Sequence, residues 1–342
     1  ALAEPDLSAA QSGAKSVGAA PRVRARGFVA TASIFILGLL TAFAFQRWRG
    51  DRAMAEKNMN GSPQPAATVD PVYLPLWEKF LEPGAENLQA YGTPQFFTAG
   101  GVYLRDVEIN SPQEAGLGSR LKSLRKLSHM DFQPTEVYTG VGETHGVYLL
   151  TRFFSKAARE LRVTRSRMVG WDEVKNSNII FLSSMRFQTL AKELPYPSDF
   201  VIDQASTRAA VINLRPAAGE SSTYIGPIGD EYATLTVWPG KLHQRRIVIL
   251  SGVTTWATLA AAEYVTDPEY LLQFNRHLEQ CRKNNGSSRH TPYFQALLRA
   301  EVKDNQPISI SYVTHHDLQI ADPTDEPAKR PNKQQVALRH EK

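Results

Sequence analysis

The chain has 342 residues, 42% hydrophobic and 21% charged, with a formal net charge of +5. That balance marks ordinary globular sequence over most of its length. The single cysteine, Cys281, excludes an intrachain disulfide and a Cys-rich metal site, and its setting predicts a half-buried helix residue.

Residues 1–26 are small, polar and unpatterned, and read as disordered. The chain opens on Ala1, which fits an upstream piece. Gly27 to Phe45 carries no charge over 19 residues and is flanked by arginines on both sides. At about 1.5 Å per residue such a helix spans roughly the ~30 Å hydrocarbon core, so a single transmembrane helix is expected over 27–45. A cleaved signal peptide is the rival, because Ala42-Phe43-Ala44 has the small-x-small form; the apolar run exceeds the usual ~7–15 residues of such a peptide. Basic residues lie on both sides, so charge does not set the orientation. Residues 46–70 are rich in Gly, Pro, Ser, Asn and Ala and read as a flexible linker.

Folded sequence is expected from 71 to 320. Leu74, Leu76 and Phe80 predict a short helix ended by Pro83, and Pro94 to Ile109 reads as extended with a Gly100-Gly101 turn. Ser111-Pro112 reads as the start of a short helix, ahead of the basic LKSLRKL. Gly140-x-Gly142-x-x-x-Gly146 stands ahead of an amphipathic helix carrying Leu150, Phe154, Ala157 and Leu161 on one stripe. The densest basic region, Arg120 to Arg167, holds ten Lys/Arg against four Asp/Glu and reads as a solvated helix face. A strand follows at 163–169. Asn178 to Ser183 is apolar at almost every position, which predicts a strand buried on both faces, and a short helix over Arg186–Glu193 comes next. Phe200–Ile202, Ala209–Leu214 and Tyr232–Trp238 are further strands, the last pairing antiparallel with Ile247–Leu250.

Arg246 to Thr266 organises the rest. Ile247–Leu250 is a second continuous apolar run, Gly252 permits a tight turn, and Thr254 or Thr255 caps a helix through Trp256, Leu259, Ala260 and Tyr264. Strand, turn and helix form half a unit of an open α/β sheet, in which ligands sit at strand carboxyl ends. Thr266-Asp-Pro-Glu269 predicts a capped helix with Leu271, Phe274 and Leu278 inward. Thr291-Pro292 is read as starting another helix, through Phe294, Leu297 and Leu298, and Ile308–Val313 as a final edge strand. Residues 321–342 are charged and Pro-rich and read as a disordered tail.

Chemical motifs are sparse. The glycines at 140–146 invite a nucleotide phosphate at a helix N-terminus, with Arg165 and Arg167 placed for a 2′-phosphate, but that site needs a buried strand ending at Thr139. Glu143 in the first turn favours the helix dipole and repels a phosphate. There is no GxSxG elbow, and adjacent His315 and His316 point to opposite faces of a strand, which makes them a poor ligand pair.

Four local patterns carry a family resemblance: RDVEINSP at Arg105–Pro112, Tyr138-x-x-x-Gly142-Glu143, the Asn-led strand at Asn178, and Ile249-Leu-Ser-Gly252 through Thr258, Ala260-Ala261, Glu263 and Thr266. In these the span from about Pro71 to Leu318 resembles an uncharacterised bacterial extracytoplasmic domain found C-terminal to a single transmembrane helix. Many relatives carry a winged-helix DNA-binding domain before that helix, as in membrane-anchored one-component transcription regulators. Ala257 stands where relatives often have Gly, and residues 1–26 are shorter than a winged helix. The resemblance implies a sensory or interaction role in the bacterial inner membrane, with the C-terminal domain outside the cytoplasm.

The fold expected is α/β, a mixed and mostly parallel sheet with helices on both faces, preceded by one transmembrane helix. The function expected is a single-pass anchored domain binding an unknown small molecule or envelope protein, touching the lipid bilayer through 27–45, reading no nucleic acid and carrying no cofactor. Gly142, Glu143, Thr144, Ser183, Ser184, Gly252, Thr254 and Thr255 are the candidate crevice residues. A nucleotide- or NADP-dependent enzyme using Gly140–Gly146, and a structural envelope scaffold with an exposed apolar patch, are the alternatives.

Overall fold

A computed structural model describes residues 69–320 apart from 113, 115–117, 204–208, 227–228, 242–243 and 286–291. The expected membrane span, most of the linker and the tail lie outside the described residues. Among the described residues no helix is long and apolar enough to cross a membrane.

In chain order the strands are β1 (Asn87–Tyr91), β2 (Phe96–Ala99), β3 (Val102–Leu104), β4 (Gln133–Thr135), β5 (Arg162–Arg165), β6 (Asn178–Leu182), β7 (Phe200–Asp203), β8 (Ala210–Asn213), β9 (Thr223–Tyr224), β10 (Asp230–Pro239), β11 (Arg246–Gly252), β12 (Phe294–Lys303) and β13 (Gln306–Asp317). The helices are α1 (Leu74–Leu81), α2 (Ser119–Ser128), α3 (Val141–Lys156), α4 (Trp171–Asn176), α5 (Thr189–Glu193), α6 (Thr255–Thr266) and α7 (Pro268–Asn285).

The main sheet has the order β13-β12-β10-β11-β6-β1-β5, and two small antiparallel sheets, β3-β2-β4 and β7-β8-β9, stand beside it. Pairings among β11, β6, β1 and β5 are parallel, whereas those joining β10, β12 and β13 to the sheet are antiparallel. The sheet is therefore mixed in equal halves, which corrects the mostly parallel expectation. The reason is β12: Phe294–Lys303 is a strand and not the expected helix, and it inserts between β10 and β13. Phe294, Leu297 and Leu298 satisfy helical spacing, but a short apolar run carries no period of its own, and here Ala296 and Leu298 face one core while Leu297 faces another.

Side chains on the two faces of the sheet alternate as pleating requires. Ile180, Leu182, Val248 and Leu250 pack under α1, α3, α6 and α7, whereas Ile179, Phe181, Ile247 and Ile249 pack against Val174 of α4 and Ala191 of α5. Trp77 of α1 is wholly buried, meets Phe80 and Phe154 edge-on, and donates its indole N–H to the Val265 carbonyl at 2.8 Å. Each such large side chain contributes roughly 1.5–3 kcal/mol by burial, so this aromatic knot fixes α1 and α3 to α6. At the amino ends of the parallel strands, buried Asn178 donates to the Lys79 carbonyl (2.8 Å) and to Asn87 Oδ1 (3.1 Å) while accepting the Arg246 N–H (2.9 Å). One side chain thereby registers β1, β6 and β11.

Chain direction across the sheet reverses between β1 and β6. The link from β1 to β5 runs through α3 on one face, and the link from β5 back to β6 runs through α4 on the other. Open α/β sheets form their crevice at the carboxyl ends of strands flanking such a reversal.

The β7-β8-β9 sheet is clamped to the main one by His316 of β13. Its Nδ1 lies 2.9 Å from Asp199 Oδ2 and its Nε2 2.8 Å from Glu220 Oε2, and Asp199 also pairs with Arg215 at 2.7 Å. Burial pushes the Glu220 carboxyl up, but hydrogen bonds from Thr314, Ala217, His316 and Asn213 outweigh it and bring it to about 2. A carboxylate depressed from the ordinary 4.5 stabilises the fold fully above that value, and the stabilisation is lost as pH falls towards about 2. Thermal unfolding of the full chain should therefore show the melting temperature falling between pH 4.5 and pH 2.5, and falling less steeply in Glu220→Gln. Equal slopes in both proteins would show that Glu220 carries no such linkage.

Candidate functional site

Glu143 lies in the first turn of α3 and is buried, with 6% of its surface exposed. Its Oε1 accepts from Ser183 Oγ at 2.9 Å, at the end of β6, and its Oε2 accepts from Thr255 Oγ1, at the start of α6. Thr255 Oγ1 in turn accepts the Gly142 N–H at 2.8 Å. A buried carboxylate is tolerated only when hydrogen-bonded, and both its oxygens are engaged here.

Gly142 makes the clasp possible. A Cβ there would stand 1.8 Å from the Thr255 carbonyl oxygen. The helix begins at Val141, so Gly142 and Gly146 lie inside it and serve close packing against α6 and Leu182, not a phosphate loop. The segment ahead of Gly140 belongs to no strand; the nearest, β4, pairs antiparallel with β2 in a separate sheet. Arg165 and Arg167 both pair with Glu136, and Arg167 also donates to the Asn110 carbonyl at 2.7 Å. The dinucleotide geometry weighed from the glycines is thus not formed.

Ser183 holds φ at +145°, a region that favours glycine. Its N–H donates to the Leu250 carbonyl (3.0 Å) and its hydroxyl to Glu143, so neighbours over-determine the strained backbone. Gly252 packs against the helix it precedes, since a Cβ would meet the Thr258 N at 2.2 Å; its φ is not positive, so close approach is what glycine supplies between β11 and α6. Thr254 caps α6, accepting the Trp256 and Ala257 N–H groups at 3.1 and 3.2 Å.

Two neighbouring cavities open at these carboxyl ends and share Ser184 and Arg186 as walls. The smaller, about 160 Å³, is bounded by Glu143, Gly252, Thr254 and Thr255. The larger, about 900 Å³, lies over β10 and β11, with Thr234, Thr236, Ile249 and Ser251 beneath it and Phe200 and Ile202 of β7 beside it. Of the residues expected to line the crevice, Glu143, Ser184, Gly252, Thr254 and Thr255 meet at the small cavity. Gly142 and Ser183 lie behind it as buried support. Thr144 is exposed and turns its hydroxyl back to the Gly140 carbonyl at 3.1 Å, so it does not join them.

Sequence reasoning missed the arginines. Arg186 follows Ser184 at the end of β6, the position where strand-end logic looks for site residues. Burial lowers its affinity for its proton, and Glu143 opposes that effect. Arg105 donates to the Gln95 carbonyl at 3.3 Å and to Asn110 Oδ1 at 2.9 Å, and also to the Asp106 and Ile109 carbonyls. Burial, then the neighbouring Arg186 charge, bring Arg105 down to about 10. Both guanidinium groups flank the Phe187 ring, at 5.7 Å for Arg105 and 4.5 Å for Arg186.

No protein-family model matches the chain, and no curated protein matches it.

Removing the clasp should unfold this region first. Glu143→Ala leaves the buried Ser183 hydroxyl and the half-buried Thr255 hydroxyl without their acceptor and is expected to destabilise by roughly 1–3 kcal/mol for the first and less for the second. Glu143→Gln keeps one acceptor and should cost less. Gly142→Ala overpacks α3 against α6 and should cost roughly 1–3 kcal/mol or more. Urea unfolding of the full chain reads all three.

Proposed function

We propose that this chain is a membrane-anchored binding domain of a bacterial envelope protein, with a small ligand seated at the carboxyl ends of β6 and β11. The observation that carries the reading is the cavity of about 900 Å³, within the range of roughly 300–1,000 Å³ that ligand pockets occupy. Its lining mixes apolar side chains with hydroxyls, and Ser184 and Arg186, just past the carboxyl end of β6, form one wall of it. A sensory role, as part of a one-component regulator, is the use of such a domain that the family resemblance implies.

A thermal-shift screen of the full chain against nucleotides, sugars, amino acids and peptidoglycan fragments tests the reading. A ligand at ~100 times its dissociation constant adds about 2.7 kcal/mol, which a melting curve resolves. Thr236→Trp fills the cavity from its floor, so a true hit should vanish in that variant while the unliganded melting temperature stays within a few degrees. A hit that persists in Thr236→Trp sits elsewhere, and the crevice assignment then fails.

A partner-binding reading has its own support. Around the β3-β2-β4 sheet, Val102, Tyr103, Val137 and Tyr138 are all exposed, with Tyr103 and Tyr138 packed edge-on at 5.0 Å. Exposed apolar clusters of this kind mark protein contacts. An absence of any small-molecule hit would favour this surface.

The anchor is part of the proposal and rests on the uncharged stretch 27–45. The full chain expressed in a bacterium should remain in the membrane pellet after an alkaline wash, and a version lacking 27–45 should not. Recovery of the full chain in the soluble fraction would remove the anchor from the reading.

A further inference from the structure

The arginines of the fold divide into two kinds. Arg105 and Arg167 spend their N–H groups on backbone carbonyls and carboxylates, as structural guanidinium groups do. Arg186 does not. Its Nε is buried with no partner, and its guanidinium lies half-buried against the Phe187 ring, walling both cavities. The nearby carboxylate of Glu143 is already committed, one oxygen to Ser183 and the other to Thr255. A second cation, Arg105, stands close enough to repel it.

Leaving the buried Nε–H of Arg186 without an acceptor is costly, and the neighbouring Arg105 charge adds to the cost. Within the fold, the Glu143 charge and the Phe187 ring offset only part of that cost and leave the Nε–H unpaired. An oxyanion would pair it, because the planar guanidinium fork matches carboxylate and phosphate geometry. The adjoining groups suit the same guest. Ser184 is 93% buried, at 7% exposure, and shares the wall with Arg186. Ser251 accepts the Met185 N–H at 3.2 Å, which leaves its own proton for an acceptor. Beyond them the larger cavity offers Ile249, Phe200 and Ile202 to an apolar body.

We propose that the ligand of this crevice is an organic anion, a carboxylate or a phosphate monoester on an apolar body, with its oxyanion on Arg186 and Ser184 and its body over β10 and β11. The inference rests on the reading of this crevice as the binding site. Arg186 is its specificity-determining residue. Glu143, facing the small cavity, keeps the anion on the Arg186 side by repulsion.

Matched probes on the full chain test it: phenyl phosphate and benzoate as anions, benzyl alcohol as the neutral analogue and benzylamine as the cation, each followed by thermal shift and titration calorimetry. The anions should raise the melting temperature and bind roughly tenfold or more tighter than benzyl alcohol, and benzylamine should bind weakest. The stronger of the two anions tells a phosphate guest from a carboxylate. Arg186→Met keeps the stem over Phe187 and should bring the ratio of anion to benzyl alcohol affinity down to near one. Should that variant not fold, protection of Arg186 in the wild-type chain from phenylglyoxal by benzoate or phenyl phosphate, read by mass spectrometry, gives the same answer. Equal affinity for charged and neutral probes, all lost in Thr236→Trp, would overturn the anion inference and leave the crevice standing. Anion binding that is unchanged in Arg186→Met would also overturn it. Failure of every probe to bind would count against both the inference and the crevice reading.

Discussion

A single buried carboxylate holds three elements in place at the carboxyl ends of the parallel strands. Glu143 ties the start of α3 to the end of β6 through Ser183 and to the start of α6 through Thr255. Those contacts exist only because Gly142 lets the backbone of α3 meet that of α6 without a side chain between them. With the helices at that distance, Leu150 and Phe154 reach the same core as Ala257, Ala260 and Ala261, and the alanine-rich α6 becomes intelligible as a close-packing surface. The strained φ of Ser183 follows from the same constraint, since its hydroxyl must turn to Glu143 while its N–H stays with β11.

The two faces of the sheet are unequally dressed, and the cavity is a result. One face is covered by the longer helices α3, α6 and α7, whereas the other carries the short α4 and α5 at one side and the β7-β8-β9 sheet at the other. Beside these two patches, β10 and β11 present Thr234, Thr236 and Ser251 to the cavity, with Ile249 at the edge of the core under α4 and α5. The hydroxyls on that strip make sense as a surface that is lined and not packed. Thr236 alternates with Leu235 and Val237, which face the aliphatic core behind, so the change from polar to apolar follows the pleat.

How much of this could be read from the sequence differs from element to element. β6, β11 and α6 were legible because continuous apolar runs ending in small residues and a threonine cap have few other solutions. β1 was not, because Asn87-Leu-Gln-Ala-Tyr91 interrupts its apolar positions with buried polar ones; Asn87 earns its place through hydrogen bonds to Phe80, Glu160 and Asn178 that join residues far apart in sequence. β12 was mistaken for a helix since spacing alone cannot tell a buried strand from one helical turn. At the site, Ser184, Gly252, Thr254 and Thr255 are reachable from strand-end logic and Glu143 from the glycine segment that opens α3, whereas Thr144 faces solvent because the helix starts three residues before it, earlier than the pattern indicates. Arg105 heads the RDVEINSP pattern, but nothing in that pattern places its guanidinium beside Arg186 and Phe187, which depends on how the loop folds.

The charge arrangement at the crevice follows from the order in which those demands are met. Glu143 is placed by the clasp, so its carboxylate is occupied by hydroxyls before any arginine can use it. Arg105 is placed by the Arg105–Asn110 loop, whose carbonyls and amide absorb its donors. Arg186 is carried to the cavity wall by the turn after β6, with Phe187 beneath it, its Nε without a partner and the Glu143 charge nearby. Replacing it by an apolar residue of similar size would relieve both its desolvation and its repulsion of Arg105, as buried ion groups often show. A cation at such a position, beside an open cavity, is the arrangement on which the proposed anion site rests.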